Sequence, residues 1–136
     1  MGSASVEPTG TVIHLDTSVL VDALTGPRRS ARVLRGVFEQ GERVSFSTLV
    51  LYEWLRGPRR EAELAHQEAL CPRGQAVPFG PGEAAMAADL YRSVSRARQR
   101  EFDLAVAACA ITSRATLWTL NVDDFTDIPG LDLFQA

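Results

Sequence analysis

Apolar and polar positions along this chain switch between two periods, and the switching predicts short strands separated by helices. Residues 11–15, TVIHL, form an apolar run read as a first strand, which stops abruptly at a carboxylate and two hydroxyls, Asp16, Thr17 and Ser18. TSVLVDALTG follows with helical spacing, capped by Thr17 or Ser18 and ended at Gly26-Pro27. In RRSARVLRGVFEQGE the residues Val33, Leu34, Val37 and Phe38 share one helical face, and Gly41 closes the helix. RVSFS reads as a strand, STLVLYEWLRG as a helix stopped by Gly57-Pro58, and RREAELAHQEAL as a further amphipathic helix. The Pro/Gly-rich connection CPRGQAVPFGPG accommodates a brief strand around Ala76–Val77. Beyond it come a long helix over EAAMAADLYRSVSRA and a helix apolar on nearly all faces over EFDLAVAACAITSRA. A strand TLWTL, a turn or short helix NVDDF and a terminal strand LDLF complete the pattern.

Strands joined through helices need crossover connections, so the expected class is α/β, with a mainly parallel central sheet and helices on both faces. Ligands of such sheets sit outside the carboxyl ends of the strands. That edge receives Asp16 after the first strand, and Asn121, Asp123 and Asp124 after TLWTL. Two further acids fit the same edge. Glu53 lies among Leu49, Val50, Leu51, Trp54 and Leu55 on its helix, and Asp103 stands in the first turn of an otherwise apolar helix. Each acid alone has a plain structural role open to it: strand-end cap, surface acid, turn former, or partner of a helix N-terminus. Four acids converging on one edge ask for a common cause.

Composition narrows the chemistry. The 136 residues, 46% of them hydrophobic, suit one domain over 11–136, with the small polar residues 1–10 expected to be a frayed leader or tag remnant. No apolar run approaches the roughly 20 residues of a membrane span, and no signal-peptide pattern is present, so a cytoplasmic protein is expected. Cys71 and Cys109 match no zinc or disulfide spacing and read as structural. The net charge of −3 argues against nucleic-acid binding by bulk attraction, so the distribution of charge decides. All 14 basic residues are Arg, which excludes any mechanism requiring a lysine. Arg56, Arg59 and Arg60 follow Glu53, while Arg96, Arg98 and Arg100 precede Asp103; each is open to two readings, a solvated helix surface or a bidentate contact to phosphates around the acidic centre. His14 is expected in the strand interior, His66 on the surface, and Trp54, Trp118 and Phe125 in the core.

Four motifs in order, HLDTSVLVDAL, STLVLYEWLRG, FDLAVAACAI and LWTLNVDDF, resemble the PIN domains, and among them the VapC-like ribonuclease toxins of toxin–antitoxin pairs. The resemblance spans nearly the whole chain after the leader and implies a three-layer PIN-like fold. It carries over four acids: Asp16, Glu53, Asp103 and Asp124, the last within the closing N-x-x-D-F pattern of Asn121, Asp124 and Phe125. The doubled Asp123-Asp124 departs from that pattern and leaves two carboxylates able to face the metal. It implies a metal-dependent endoribonuclease, with RNA as substrate and a VapB-like antitoxin as partner. The residue chemistry agrees, since clustered carboxylates without His or Cys select Mg²⁺ or Mn²⁺. Asp16, Asp103 and Asp124 are assigned to the metal shell and Glu53 to the metal directly or through water. Thr17 or Ser18 is expected to hold a phosphate or a metal-bound water, or, equally, to cap the helix. The resemblance also implies self-association and, in a groove beside the first two helices, an antitoxin helix with an Arg toward the acids; surplus apolar residues on the second and third helices support a contact patch for a two-fold homodimer.

Two alternatives use similar residues: a non-catalytic PIN scaffold acting through protein contacts, and an RNase H-like nuclease, whose first acid lies in an antiparallel meander. A response-regulator receiver is excluded by the missing lysine, and a nucleotide-binding P-loop by the missing GxxxxGK[ST].

Overall fold

In the computed structural model, residues 12–26 and 28–135 are described; residues 1–10, expected as a leader or tag remnant, Thr11, Pro27, expected at a helix end, and Ala136 lie outside the described residues. Strands β1 (Val12–Leu15), β2 (Arg43–Ser45), β3 (Thr116–Trp118) and β4 (Asp132–Leu133) form one sheet in the order β2-β1-β3-β4. Every neighbouring pair is parallel, with Ile13 opposite both Val44 and Thr116 and His14 opposite both Ser45 and Leu117. The sheet so described contains no antiparallel meander, which removes the RNase H-like alternative.

Among the described residues six α-helices flank the sheet: α1 (Thr17–Leu24), α2 (Arg29–Glu39), α3 (Thr48–Arg56), α4 (Glu61–Leu70), α5 (Pro81–Ser93) and α6 (Glu101–Thr112). Ile13, His14 and Leu15 are all buried because helices cover both faces of β1, which is why TVIHL reads as an unbroken apolar run. α6 is the central helix. Leu104 and Val106 through Ala110 are buried, and the small alanines let α5 pack closely along it. Among the described residues no helix is long and apolar enough to cross a membrane. Trp54, Trp118, Phe125 and both cysteines are buried, as the sequence predicts, and His66 is exposed. Of the surplus apolar residues, Leu34, Val37, Val50 and Trp54 belong to the core, while Phe38 and Leu55 stay exposed.

Two local expectations fail. Thr17 and Ser18 do not cap α1; Asp16 occupies the cap position, and its carbonyl accepts from the Val19 and Leu20 amides at 3.1 and 3.3 Å. Both hydroxyls turn toward other carboxylates instead. The long helix over residues 83–97 ends early, at Ser93, with Val94 extended and Arg96 left-handed at φ 53°. The run SVSR explains the stop: Ser93 Oγ donates to the Asp89 carbonyl at 2.8 Å, and serine and valine are weak helix formers. The brief strand at Ala76–Val77 reduces to a single parallel bridge between Ser47 and Val77.

Strand order fixes where a site can form. The chain leaves β1 toward β2 on one side and returns to β3 on the other, so a crevice opens between the carboxyl ends of β1 and β3. Asp16 stands at the first of these ends and Thr119 to Asp124 follow the second.

Candidate active site

The end of β1 is fastened to the end of β3 by hydroxyl groups. The Asp16 amide donates to the Trp118 carbonyl at 2.9 Å, continuing the ladder past the strand. The Asp16 side chain is buried, and its Oδ2 accepts from Ser18 Oγ at 3.0 Å and Thr119 Oγ1 at 2.7 Å. The same two oxygens accept the Leu120 and Asn121 amides at 2.9 and 3.0 Å. Asp16 is therefore oriented from both strands at once.

Glu53 arrives from α3, which Ser47 caps by accepting the Val50 amide at 3.2 Å. Its Oε1 accepts from Thr17 Oγ1 at 2.5 Å, and Arg56 lies 3.5 Å from Oε2. Asp103, in the first turn of α6, completes the inner wall. Asp16, Thr17, Ser18, Asp22, Glu53, Asp103 and Asn121 line one open cavity of about 410 Å³. Asn121, Asp123 and Asp124 line an adjoining depression of about 340 Å³.

Electrostatics tie the depression to the cavity. Burial pushes the Asp103 carboxyl from its ordinary value up to about 6, and the charges of Asp16, Asp124 and Glu53 push in the same direction against Arg100. Of the doubled pair, Asp124 is the one whose charge acts on Asp103. An all-oxygen set repelling one of its own members is chemically suited to a hard divalent cation. Among the described residues no three acids converge into a ready-made cage.

The arginines divide. Arg60, Arg96 and Arg98 are exposed, and Arg56 is exposed with its guanidinium over Tyr52. Arg59 stacks on Trp54 at 4.2 Å and donates from Nε to the Trp54 carbonyl at 2.9 Å, so it braces α3. Arg100, expected at a phosphate, is engaged by Asp127 inside the protein.

Sequence reasoning missed two residues of this site. Thr119 carried a signal in being the hydroxyl that ends an apolar strand. Asp22 carried another, standing one helical turn after Ser18 and hence on the same face of α1. Its carboxylate accepts the Ser30 amide at 2.8 Å, joining the cavity wall to the start of α2.

Asp103 and His14 give opposing pH dependences. Above about pH 6 the folded protein carries a charged Asp103 at a cost, and protonation relieves it as pH falls. Burial pulls His14 down to about 4, so the folded state holds it neutral and loses stability as pH falls from 6.5 toward 4. With EDTA present, Asp103→Asn should melt no lower than the parent at pH 7, and up to about 3 °C higher. Its melting temperature should then fall more steeply between pH 6 and 4, because the compensating proton uptake is gone. Thermal melts across that range check both; a markedly lower melting point at pH 7 would make Asp103 a structural partner of the helix N-terminus.

Comparisons with known proteins complete the picture. The family profile described as "PIN domain" matches residues 13–131. A chain of VapBC2 from Rickettsia felis, solved bound to a DNA fragment from its promoter, superposes with a TM-score of 0.71 at 22% identity, covering 90% of this chain and 97% of that one. A chain of DNA-bound VapBC from Salmonella typhimurium gives 0.69 at 18% identity, covering 93% and 98%. A chain of VapBC-5 from Mycobacterium tuberculosis gives 0.60 at 22% identity, covering 95% and 100%. No curated protein matches the sequence significantly.

Proposed function

The chain belongs to the PIN-domain family, and from that premise we propose that it is a metal-dependent endoribonuclease, the toxin of a toxin–antitoxin pair. The observation that carries the proposal is the convergence of Asp16, Glu53 and Asp103 on one cavity, with the Asp124 charge acting on Asp103. These four acids are the residues proposed to hold Mg²⁺ or Mn²⁺. When bound, such a cation acidifies water and offsets the charge of a phosphodiester under in-line attack. The protein's own groups supply the positioning. Thr119 and Ser18 fix Asp16 through Oδ2, Thr17 fixes Glu53 through Oε1, and the exposed Arg56, Arg60, Arg96 and Arg98 offer guanidinium groups to RNA phosphates. Asn121, Asp123 and Asp124 form the outer rim past which the strand would run.

A VapB-like antitoxin is the proposed partner, since the similar solved structures are named as VapBC toxin–antitoxin assemblies. Its seat is an apolar groove of about 420 Å³ beside α1 and α2, lined by Leu24, Leu34, Phe38 and Leu70. Self-association as a two-fold dimer is proposed through the exposed Tyr52, Leu55 and Tyr91.

Incubation of the purified protein with structured RNA tests the chemistry. Cleavage is expected with Mg²⁺ or Mn²⁺ and is expected to vanish with EDTA. Cleavage that persists in EDTA would refute the metal mechanism. A folded protein that cleaves no RNA under any cation would instead support the non-catalytic scaffold.

A further inference from the structure

Arg100 stands one turn before Asp103 on the approach to α6, and its carbonyl accepts the Leu104 amide at 2.9 Å. Its guanidinium makes four hydrogen bonds within the protein. Nη2 and Nη1 grip the two Asp127 carboxylate oxygens at 2.6 and 2.9 Å, a bidentate pair. Nη2 also donates to the Asp124 carbonyl at 3.0 Å and Nη1 to the Ser95 carbonyl at 3.1 Å. The Arg100 side chain is only 13% exposed. No face of it is left to grip a phosphate in the manner of Arg96 or Arg98.

What these bonds join is informative. Asp124 ends the short 3₁₀ turn Val122–Asp124, whose body is held down by the buried Phe125 and Ile128. Asp103 opens α6 on the other side. The negative charge of Asp124 acts on Asp103 across this seam, and the exposed, polar side of the turn offers no buried apolar anchor of its own. A cation bonded to the backbone of Asp124 and planted at the start of α6 does both jobs: it fastens the turn and offsets part of the negative charge.

We propose that Arg100 is a positioning residue: clamped by Asp127, it fixes the Asp124 turn against Asp103 and thereby sets the affinity of the acid cluster for a divalent cation. The proposal rests on the reading of Asp103 and Asp124 as cation-holding groups. Asp127 is part of the device, because it orients the guanidinium without itself lining the cavity.

The test compares the intact protein with Arg100→Gln, Asp127→Asn and the double variant. The first readout is the Mn²⁺ concentration that half-saturates the rise in melting temperature, measured without RNA. The second is the affinity for a fluorescent single-stranded oligoribonucleotide in EDTA. Arg100→Gln is expected to raise the half-saturating Mn²⁺ by about tenfold, the scale of losing a group that orients a metal ligand, and Asp127→Asn by a smaller factor of about threefold, because the Arg100 bond to the Asp124 carbonyl remains without the carboxylate that orients it. The double variant should be no worse than the poorer single, because both substitutions break one clamp. RNA affinity in EDTA should change by less than about twofold. If Arg100→Gln does not fold, Asp127→Asn carries the comparison alone, since it leaves the Arg100 bonds to the two carbonyls intact. Unchanged Mn²⁺ saturation in the variants, with RNA binding weakened by Arg100→Gln and preserved or tightened by Asp127→Asn, would overturn the clamp and make Arg100 a phosphate contact. Absence of any Mn²⁺-induced shift in the parent protein would overturn the cation reading itself and the clamp's role with it.

Discussion

Replacing Asp16 by Asn should lower RNA cleavage by roughly 10²–10³-fold, the scale of removing one electrostatic group at a reacting centre, while leaving the fold in place. Geometry separates the two effects. Both hydroxyls that orient the side chain, Ser18 Oγ and Thr119 Oγ1, donate to the same oxygen, Oδ2. Asparagine offers an oxygen of the same shape in that place, so the tie between β1 and β3 survives. What is lost is a negative charge in the wall of the cavity, where the proposed cation needs it. Circular dichroism and melting in EDTA should therefore match the parent, and the Mn²⁺-induced rise in melting temperature should shrink. Removing the orienting hydroxyl, Thr119→Val, should cost less, about 10–100-fold. Parent-level cleavage by Asp16→Asn would leave no role for the acid cluster in the chemistry.

That Asp16 could be singled out from sequence reflects a strong local signal: an apolar strand ending on a carboxylate that has no reason to be buried unless the fold brings it a partner. α2 and α3 were legible from their helical spacing with Ser or Gly near their ends, and β1 and α6 from apolar runs of strand and of helix length. The early end of α5 was not, because apolar and small residues continue past Ser93 while a serine back-bond and an extended valine stop the helix. The cap reading open to Thr17 and Ser18 was local, whereas Thr17 Oγ1 donates to Glu53, 36 residues away, and Ser18 Oγ, besides donating to Asp16, accepts the Leu120 amide from beyond β3. Arg100 illustrates the same limit. Its position in an arginine-rich run suggests a phosphate contact, and only the return of the chain at Asp127 shows where its charge goes. Local periodicity announces elements and the acids at their ends; the bonds that orient those acids cross the topology and become visible only once the strands are in order.

Trp54→Ala should be the most destabilising single change in this region, costing about 3–5 kcal/mol as large-to-small substitutions of buried aromatics do. Trp54 is fully buried and follows directly on Glu53, so it is the anchor that fixes how deep α3 sits against the sheet. Arg59 closes over its ring at 4.2 Å while donating to its carbonyl, so the residue is held from the solvent side as well. For a domain of this length the expected loss is on the order of 10 °C in melting temperature, and it removes about a third or more of ordinary folding stability. Two companion variants identify the cause. Among the described residues the indole Nε1 has no acceptor, so Trp54→Phe discards an unpaired buried donor along with some volume. It should cost at most about 1.5 kcal/mol. Arg59→Ala removes only the stacked cation and one hydrogen bond, and should cost about 1 kcal/mol. Urea and thermal unfolding give all three values. Because Glu53 reaches the cavity from this same turn of α3, the surviving folded fraction of Trp54→Ala should also need more Mn²⁺ for half-maximal cleavage, while Arg59→Ala should not. A Trp54→Ala protein that melts within a degree or two of the parent would mean that α3 is held by its Ser47 cap and its contacts with α1, and that the depth of Glu53 in the site is set from the start of the helix.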